Sequence, residues 1–373
     1  MKRYRYALIG CGRIAKRHLA AARENAGRLS LTALCDLLPE KARSLGESWQ
    51  ADPPAAEQPP PGVFSGHREL LEKAEPEICA IAAESGAHAR IALDCIEAGC
   101  HVLIEKPIAL SLSDADLILR RAAARGVAVA VCHQNRFNPA MRQLSYLVSH
   151  GLIGKPYCGA AVLRWNRNRS YYEQAAWRGR WESDGGALMN QGIHAADLLL
   201  MAMGAPEEVT AYSARLGHPY IEAEDQVAAA IRFQSGALAT LEAGVNIYPE
   251  NLEETLSVFG GSGSFIAGGK ALDRVLHCRV DGHAGLTHDE ARFVPDAAPD
   301  EIYGEGHTAL YRDFLDALGA GRPPLCGAGE GRAALELVLA IYRSAKTGKP
   351  VRFPLGGWSS AEMKGMFPEP GNR

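Results

Sequence analysis

The sequence predicts an α/β protein: an N-terminal Rossmann domain with a doubly wound parallel sheet, then a C-terminal α/β domain with a large open, mostly antiparallel sheet. Three observations predict it. Over the first third, short apolar runs alternate with helix-compatible stretches, the order that a parallel sheet with helices on both faces requires. Near residue 133 that alternation stops. Beyond it, several strand-like runs are joined by short turns such as Gln234-Ser235-Gly236, the pattern of antiparallel pairing. The domains are therefore placed at 1–133 and 134–373.

The elements follow in order. Residues 5–10 are a short apolar run closed by glycine, a buried strand. Residues 13–26 have helical composition, 29–36 are a second strand, and 39–49 a second helix with Pro39 in its first turn. Residues 52–61 form a proline-rich surface loop, read as an insertion. Strands follow at 77–83, 101–106 and 127–133, and helices at 88–98 and 113–125, stopped by Gly99 and Gly126. In the second domain, 138–150 reads as a helix, 157–166 as a strand, and 187–203 as a long helix stopped by Gly204. Residues 209–214, 226–233, 237–243 and 255–259 are strands, and 310–318 and 331–344 closing helices.

With 373 residues, 47% of them hydrophobic, the chain has enough apolar material for a packed core, which argues against disorder as its main state. Forty basic against forty-three acidic residues leave a net charge of −3, which disfavours a nucleic-acid binder. No apolar run reaches the length of a membrane span. The basic N-terminus is interrupted at Arg13, so no signal peptide is expected. Nine scattered cysteines without a CxxC pair or metal-ligand spacing read as reduced thiols of a cytoplasmic protein, with no metal expected.

The first chemical signal is Gly10-Cys11-Gly12-Arg13-Ile14-Ala15, a GxGxxA turn between a strand and a helix. Its first glycine permits the tight turn, its second lets the backbone approach a pyrophosphate, and the small alanine lets helix and strand pack closely. The helix start at Arg13 and Ile14 then meets phosphate charge with its amides. Asp36 ends the second strand. A carboxylate there hydrogen-bonds an adenosine ribose hydroxyl and repels a 2′-phosphate, so the expected cofactor is NAD rather than NADP. The plain alternative is an ordinary glycine turn. Glu84 and His88 after one strand, and Glu105-Lys106-Pro107 after the next, lie at carboxyl ends of sheet strands, where open α/β sheets bind ligands. A surface lysine ahead of a turn proline is the alternative for Lys106.

Asn190, His194 and Asp197 fall at i, i+4 and i+7 of the apolar helix over 187–203, one polar stripe on a helix suited to burial. Polar groups there are satisfied internally or used. Histidine suits proton transfer near neutrality; the competing reading is a core histidine bonded to Asp197. Residues 164–181 carry Arg164, Arg167, Arg169, Arg178 and Arg180, interleaved with Trp165, Tyr171, Tyr172, Trp177 and Trp181. Arginine forks bind phosphate and carboxylate, and aromatic faces pack on sugars or bases. A solvated loop or an oligomer contact is the alternative.

Together the GxGxxA turn, Glu105-Lys106-Pro107, Gln134-Asn135-Arg136-Phe137-Asn138-Pro139 and Gly185-Gly186 ahead of the His194 helix resemble the glucose–fructose oxidoreductase/inositol dehydrogenase (Gfo/Idh/MocA) family over nearly the whole chain. The resemblance implies an NAD-dependent oxidoreductase with cofactor contacts reaching Gln134 and Asn135, and a homodimer or homotetramer formed through the open sheet. Four strings are similar, more narrowly, to the subgroup that oxidises UDP-N-acetylglucosaminuronic acid at C3 of the sugar: 84–88, 171–179, 190–194 and 221–225. Residues 270–305 match less well, and the proline loop departs from the family pattern. Many relatives outside that subgroup carry Asp where Asn190 stands. The neutral amide removes a proton-relay carboxylate and assigns Asn190 to orienting substrate or nicotinamide.

Under that resemblance Lys106 and His194 are the catalytic pair. His194 takes the proton of a sugar hydroxyl while the carbon-bound hydrogen leaves as hydride to nicotinamide C4. Lys106 hydrogen-bonds the same oxygen and stabilises its developing charge. Substrate contacts are then expected from Lys106, Arg164, Tyr172, Trp177, Arg178, Asn190, Gln191 and His194. Competing readings are an inositol or free-sugar dehydrogenase or keto-sugar reductase of the same fold, and a non-catalytic NAD-binding regulator.

Overall fold

The computed structural model describes residues 2–51, 59–283 and 306–369. The chain groups into two compact units, the first made of residues 1–109, 113–134 and 307–332, the second of 110–112, 135–306 and 333–373. The predicted proline-rich loop lies, over 52–58, outside the described residues, as does most of the weakly matching stretch before 306.

The first unit contains β1 (Tyr4–Ile9), α1 (Ala15–Glu24), β2 (Leu29–Cys35), α2 (Pro39–Gln50), β3 (Gly62–Phe64), α3 (His67–Ala74), β4 (Ile78–Ile81), α4 (His88–Glu97), β5 (His101–Ile104), α5 (Leu112–Arg125) and β6 (Val129–Val131). The six strands lie in the order β3-β2-β1-β4-β5-β6, with every pair parallel. Strand order reverses between β1 and β4, so the loops that follow these two strands flank the point where such sheets bind nucleotides. The central strands are buried on both faces, including Tyr6, Ala7 and Leu8 and all of β4. That is why their sequences are apolar throughout instead of alternating. β3 and α3 add to the expected elements: β3 is three residues long, and α3 buries only His67 and Leu70, too little for a readable pattern.

The rest of the chain runs through α6 (Pro139–Ser149), β7 (Pro156–Arg164), α7 (Arg169–Glu173), α8 (Ile193–Met203), β8 (Pro206–Ala214), β9 (Gln226–Phe233), β10 (Leu238–Gly244), β11 (Glu253–Gly260), β12 (Gly263–Gly268), β13 (Arg274–Val280), α9 (Gly306–Ala320), α10 (Ala328–Thr347) and β14 (Val351–Arg352). Eight of its strands form the sheet of the second unit in the order β13-β12-β11-β7-β10-β9-β8-β14. Neighbours are antiparallel except β7 and β10, which run parallel. Along β9, Val227, Ala229, Ile231 and Phe233 are buried while Ala228, Ala230 and Arg232 are exposed. One face therefore carries the core and the other is open. α8 packs on β7 and β11. No helix among the described residues is long and apolar enough to cross a membrane.

Two expectations need correction. Residues 307–332 group with the first unit, not with a second domain running from 134 to the end. The cause is α9: the hydroxyl of its fully buried Tyr311 lies 2.7 Å from the Tyr6 hydroxyl on β1 and 2.7 Å from His18 Nδ1 on α1. Contacts this distant along the chain leave no local pattern. The stretch 187–203 is also not one α-helix, because Leu188–Gly192 form a π-type turn before α8 begins. Gly192 fits that turn closely: a Cβ there would fall 2.8 Å from Leu188 Cδ1 and 3.1 Å from Ala243 Cβ. Single π turns recur where a helix presents a functional side chain.

Of the carboxyl groups buried in the second unit, two are governed by burial itself. Glu224 accepts from Leu188 N at 2.7 Å and from the Tyr342 hydroxyl at 2.8 Å, and Glu254 lies on β11. Burial pushes both from 4.5 up to about 8. Between those values the folded chain holds protons that the unfolded chain has released, so stability falls as pH rises through the window. Glu254→Gln should therefore raise the Tm at pH 8 and leave it nearly unchanged at pH 5, as thermal melts at the two pH values will show.

Candidate functional site

The glycine turn is built as its spacing requires. Gly10 sits at φ +98°, and a Cβ on it would fall 2.4 Å from the Ala82 carbonyl carbon just after β4. Only glycine fits there. Gly12 differs: a Cβ on it would meet nothing within 4 Å, so its smallness serves an approach to the backbone from outside the fold. Ala15 is fully buried, Ile14 half-buried and Arg13 exposed. Ile14 is the N-cap of α1 and makes no side-chain cap, so no side chain covers the start of this helix. Asp36 stands beside this turn. Its Oδ2 accepts from Cys11 N at 2.8 Å and its Oδ1 from Leu38 N at 2.9 Å, and each oxygen keeps a further lone pair for a ribose hydroxyl.

The strand-end residues divide. Glu84 is exposed. His88 is buried, with Nδ1 2.7 Å from Pro107 O and Nε2 3.1 Å from Ala83 O. Burial holds it below the ordinary histidine value. It ties the loop after β4 to the loop after β5. Glu105 is buried as well. Its Oε1 takes hydrogen bonds from His18 Nε2 and His307 Nε2 at 3.0 Å each, and its Oε2 accepts from Lys106 N at 3.3 Å. Burial alone would raise its carboxyl, but the two histidine bonds outweigh burial and hold it well below the usual range. His88 and Glu105, expected as cofactor contacts, have polar atoms hydrogen-bonded within the protein, where they brace the strand ends. His18, Glu105, Cys132 and His307 bring metal-type ligand atoms within 4.8 Å of one another. Lys106 is half-buried at the end of β5. Gln134 and Asn135 are buried, and Gln134 Oε1 has no partner among the described residues, an acceptor placed for a bound group.

In the second unit, His194 opens α8 directly after the π-type turn and is buried. Asn190 Nδ2 donates to Asp184 Oδ1, and Asp184 Oδ2 accepts from Gly179 N at 2.7 Å. A buried carboxylate thus stands beside Asn190 after all, supplied from outside the helix. Asp197 receives both Nε and Nη2 of Arg136, at 2.8 and 2.6 Å. That end of the polar stripe is structural, and its arginine partner was not identified from the pattern.

The arginine–aromatic segment sorts by partner. Arg164 is committed to the sheet: Nε and Nη2 reach Glu242 at 2.9 Å each, and Nη1 reaches Glu253 at 2.6 Å. Two carboxylates, Glu242 and Glu253, engage its guanidinium. Arg169 pairs with Glu173 at 2.7 Å. Arg178 is different. Its Nη1 donates to Tyr171 O at 2.6 Å and to Gln174 Oε1 at 3.1 Å, and its guanidinium lies 4.1 Å over the Tyr171 ring and 5.5 Å from that of Trp177. Gln191 Nε2 donates to the Tyr171 hydroxyl at 3.1 Å, which links this cluster to the turn carrying Asn190. Tyr172 is buried edge-on against Tyr171 and close to His218 and Tyr220. His218, bonded to Asp225 at 2.9 Å, is a neighbour the sequence did not mark.

Residues 4–133 match the model of an oxidoreductase family with an NAD-binding Rossmann fold, and residues 141–266 match the Gfo/Idh/MocA C-terminal domain. The chain belongs to the Gfo/Idh/MocA oxidoreductase family. It is similar to the WlbA dehydrogenase of Bordetella pertussis, solved with NADH and UDP-GlcNAcA: 32% identity, TM-score 0.82, covering 95% of this chain and 100% of that one. The WlbA dehydrogenase of Chromobacterium violaceum, solved with the same two compounds, is 32% identical with TM-score 0.84, covering 95% and 97%. Among curated sequences, the myo-inositol 2-dehydrogenase of Thermotoga maritima is 24% identical over 93% of this chain and 98% of its own length. As a member of this family the chain is an NAD-dependent oxidoreductase, and the open backbone at Gly12, the Asp36 carboxylate and the Gln134 acceptor suit a dinucleotide.

Asp36→Ala removes a charged hydrogen-bond acceptor, a change of about 1.5–3 kcal/mol, and should weaken NADH binding by about 10- to 100-fold. NADH fluorescence titration measures this directly, and unchanged affinity would remove Asp36 from the cofactor site.

Proposed function

We propose that this enzyme oxidises a sugar hydroxyl to a ketone with NAD, and that its substrate is a UDP-N-acetylhexosaminuronic acid oxidised at C3. The observation that carries the reading is the Arg178–Tyr171–Gln191 network beside Asn190. A guanidinium stacked on an aromatic ring and held by a main-chain carbonyl is pre-set to receive a diphosphate or a carboxylate. The two WlbA relatives, solved with UDP-GlcNAcA, support the same substrate class.

In this mechanism bound NAD supplies the hydride acceptor, and the protein does the rest. His194 takes the hydroxyl proton. Lys106 hydrogen-bonds the same oxygen, so that charge developing there meets a fixed donor. Arg178, with Tyr172 and Trp177 at its side, holds the anionic part of the substrate and so positions the reacting carbon. Asn190, oriented by Asp184, and Gln191 align the sugar. The nine free cysteines, eight of them buried, support a reducing cytoplasmic setting. The open sheet face, where Tyr157, Tyr212 and Leu238 are exposed, supports a homo-oligomer. A second reading, an inositol or free-sugar dehydrogenase, is favoured by the Thermotoga maritima relative.

His194→Ala should lower turnover by at least about 10²-fold with NADH binding retained; near-normal turnover would take His194 out of the reaction. NADH formation on UDP-N-acetylglucosaminuronate, UDP-N-acetylglucosamine and myo-inositol separates the substrate classes. The charged sugar nucleotide should be preferred, and Arg178→Ala should raise its KM by about tenfold or more. A clear preference for the neutral polyol would defeat the anionic-substrate reading.

A further inference from the structure

Glu105 immediately precedes Lys106, and the hydrogen bonds around it have one consistent direction. An ionised carboxylate only accepts, so His18 and His307 each present an Nε2–H to its Oε1. His18 is fully buried, and burial keeps its ring neutral. With its proton at Nε2, Nδ1 is an acceptor, and the Tyr311 hydroxyl donates to it. The Tyr311 oxygen is then left to accept from Tyr6. The result is a directed string, Tyr6 to Tyr311 to His18 to Glu105, with His307 as a branch. It joins β1, α1, α9 and the end of β5, and it terminates where Glu105 Oε2 meets the main-chain amide of Lys106. All five side chains are buried.

Burying five polar side chains costs desolvation that apolar residues of the same volume would avoid. Part of the string holds α9 against β1 and α1, and its far end meets the main-chain amide of Lys106. We propose that Glu105 is a positioning residue of this enzyme: the string holds its carboxylate against the main-chain amide of Lys106 and pins that main chain, so that the amine keeps its place as a donor to the reacting oxygen. This rests on the reading of Lys106 given above. The same region, with the Cys132 thiol, also offers a metal-type donor set. The hydrogen bonds of the string engage His18, Glu105 and His307 of that set, and the experiment separates the two readings.

The test uses the full-length enzyme with NAD and the substrate that the panel above selects, with Lys106→Met as the reference variant. Glu105→Gln keeps the shape but removes the charge; its kcat should fall at least about tenfold, with KM and NADH affinity within about twofold of the parent. Tyr311→Phe removes one hydroxyl two links back along the string and keeps the ring; it should show the same split, about two- to fivefold in kcat, and it decides the matter if Glu105→Gln does not fold. A lower Tm with parental kcat per folded enzyme in both variants would make the network merely structural and overturn the proposal. One equivalent of bound metal per chain in the parent, lost in Glu105→Gln, would overturn it as well. If Lys106→Met turns over normally, the role of Lys106 falls and the proposal with it. If Lys106→Met is inactive and Glu105→Gln is not slowed, the positioning role alone is wrong.

Discussion

Parallel pairing of β1 with both β2 and β4 is the constraint from which the rest of the first unit follows. Three parallel strands bring three carboxyl ends to one edge, and the chain must leave each by a turn. At β1 the turn is so close to Ala82 that residue 10 has no room for a side chain. At β2 it delivers Asp36 to the amide of Cys11. The loops after β4 and β5 are laced together by His88. A dinucleotide site is thus mostly backbone geometry, and the side chains that look catalytic in the sequence are partly there to hold that geometry.

This accounts for what could be read in the sequence and what could not. The alternation of the first unit was legible at its central strands, which are buried on both faces and written as continuous apolar runs, whereas the short, half-buried β3 was not. The glycine turn and Asp36 could be picked out because each sits at the end of an apolar run, at a spacing that can be counted along the chain. The internal partners of Glu105 and His88 could not be read because position at a strand end does not reveal which way a side chain turns. The partners of Glu105 come from residues 18 and 307, and no local pattern joins them. The partners of Arg164 were hidden for a related reason: the acids that bind it sit on adjacent strands whose register the sequence leaves open. β12 is bounded by glycines and β14 has two residues, so both gain definition only from the strands they pair with.

The polar groups of the interior divide by what compensates them. Asp197 has a bidentate arginine, and Glu105 has two imidazole donors, so both carboxylates are held by strong bonds. Glu224 and Glu254 have less, and burial dominates their titration. Glu224 lies directly beneath the π-type turn, taking the Leu188 amide and crowding Gly186, where a Cβ would fall 1.8 Å from its Oε2. The turn that aims His194 is therefore built around a carboxyl group and two flanking glycines, an arrangement with little tolerance for substitution.

The return of residues 307–332 to the first unit bears on how the molecule can be made. Tyr6 and His18 emerge from the ribosome early, but the hydroxyl and the imidazole that complete their bonds are encoded almost a whole chain later. Translation must nearly finish before the dinucleotide half can close its own interior. A fragment ending at residue 133 would carry every strand of that sheet and still lack the helix that seals it, so this half of the protein is a module in its architecture but not in its synthesis.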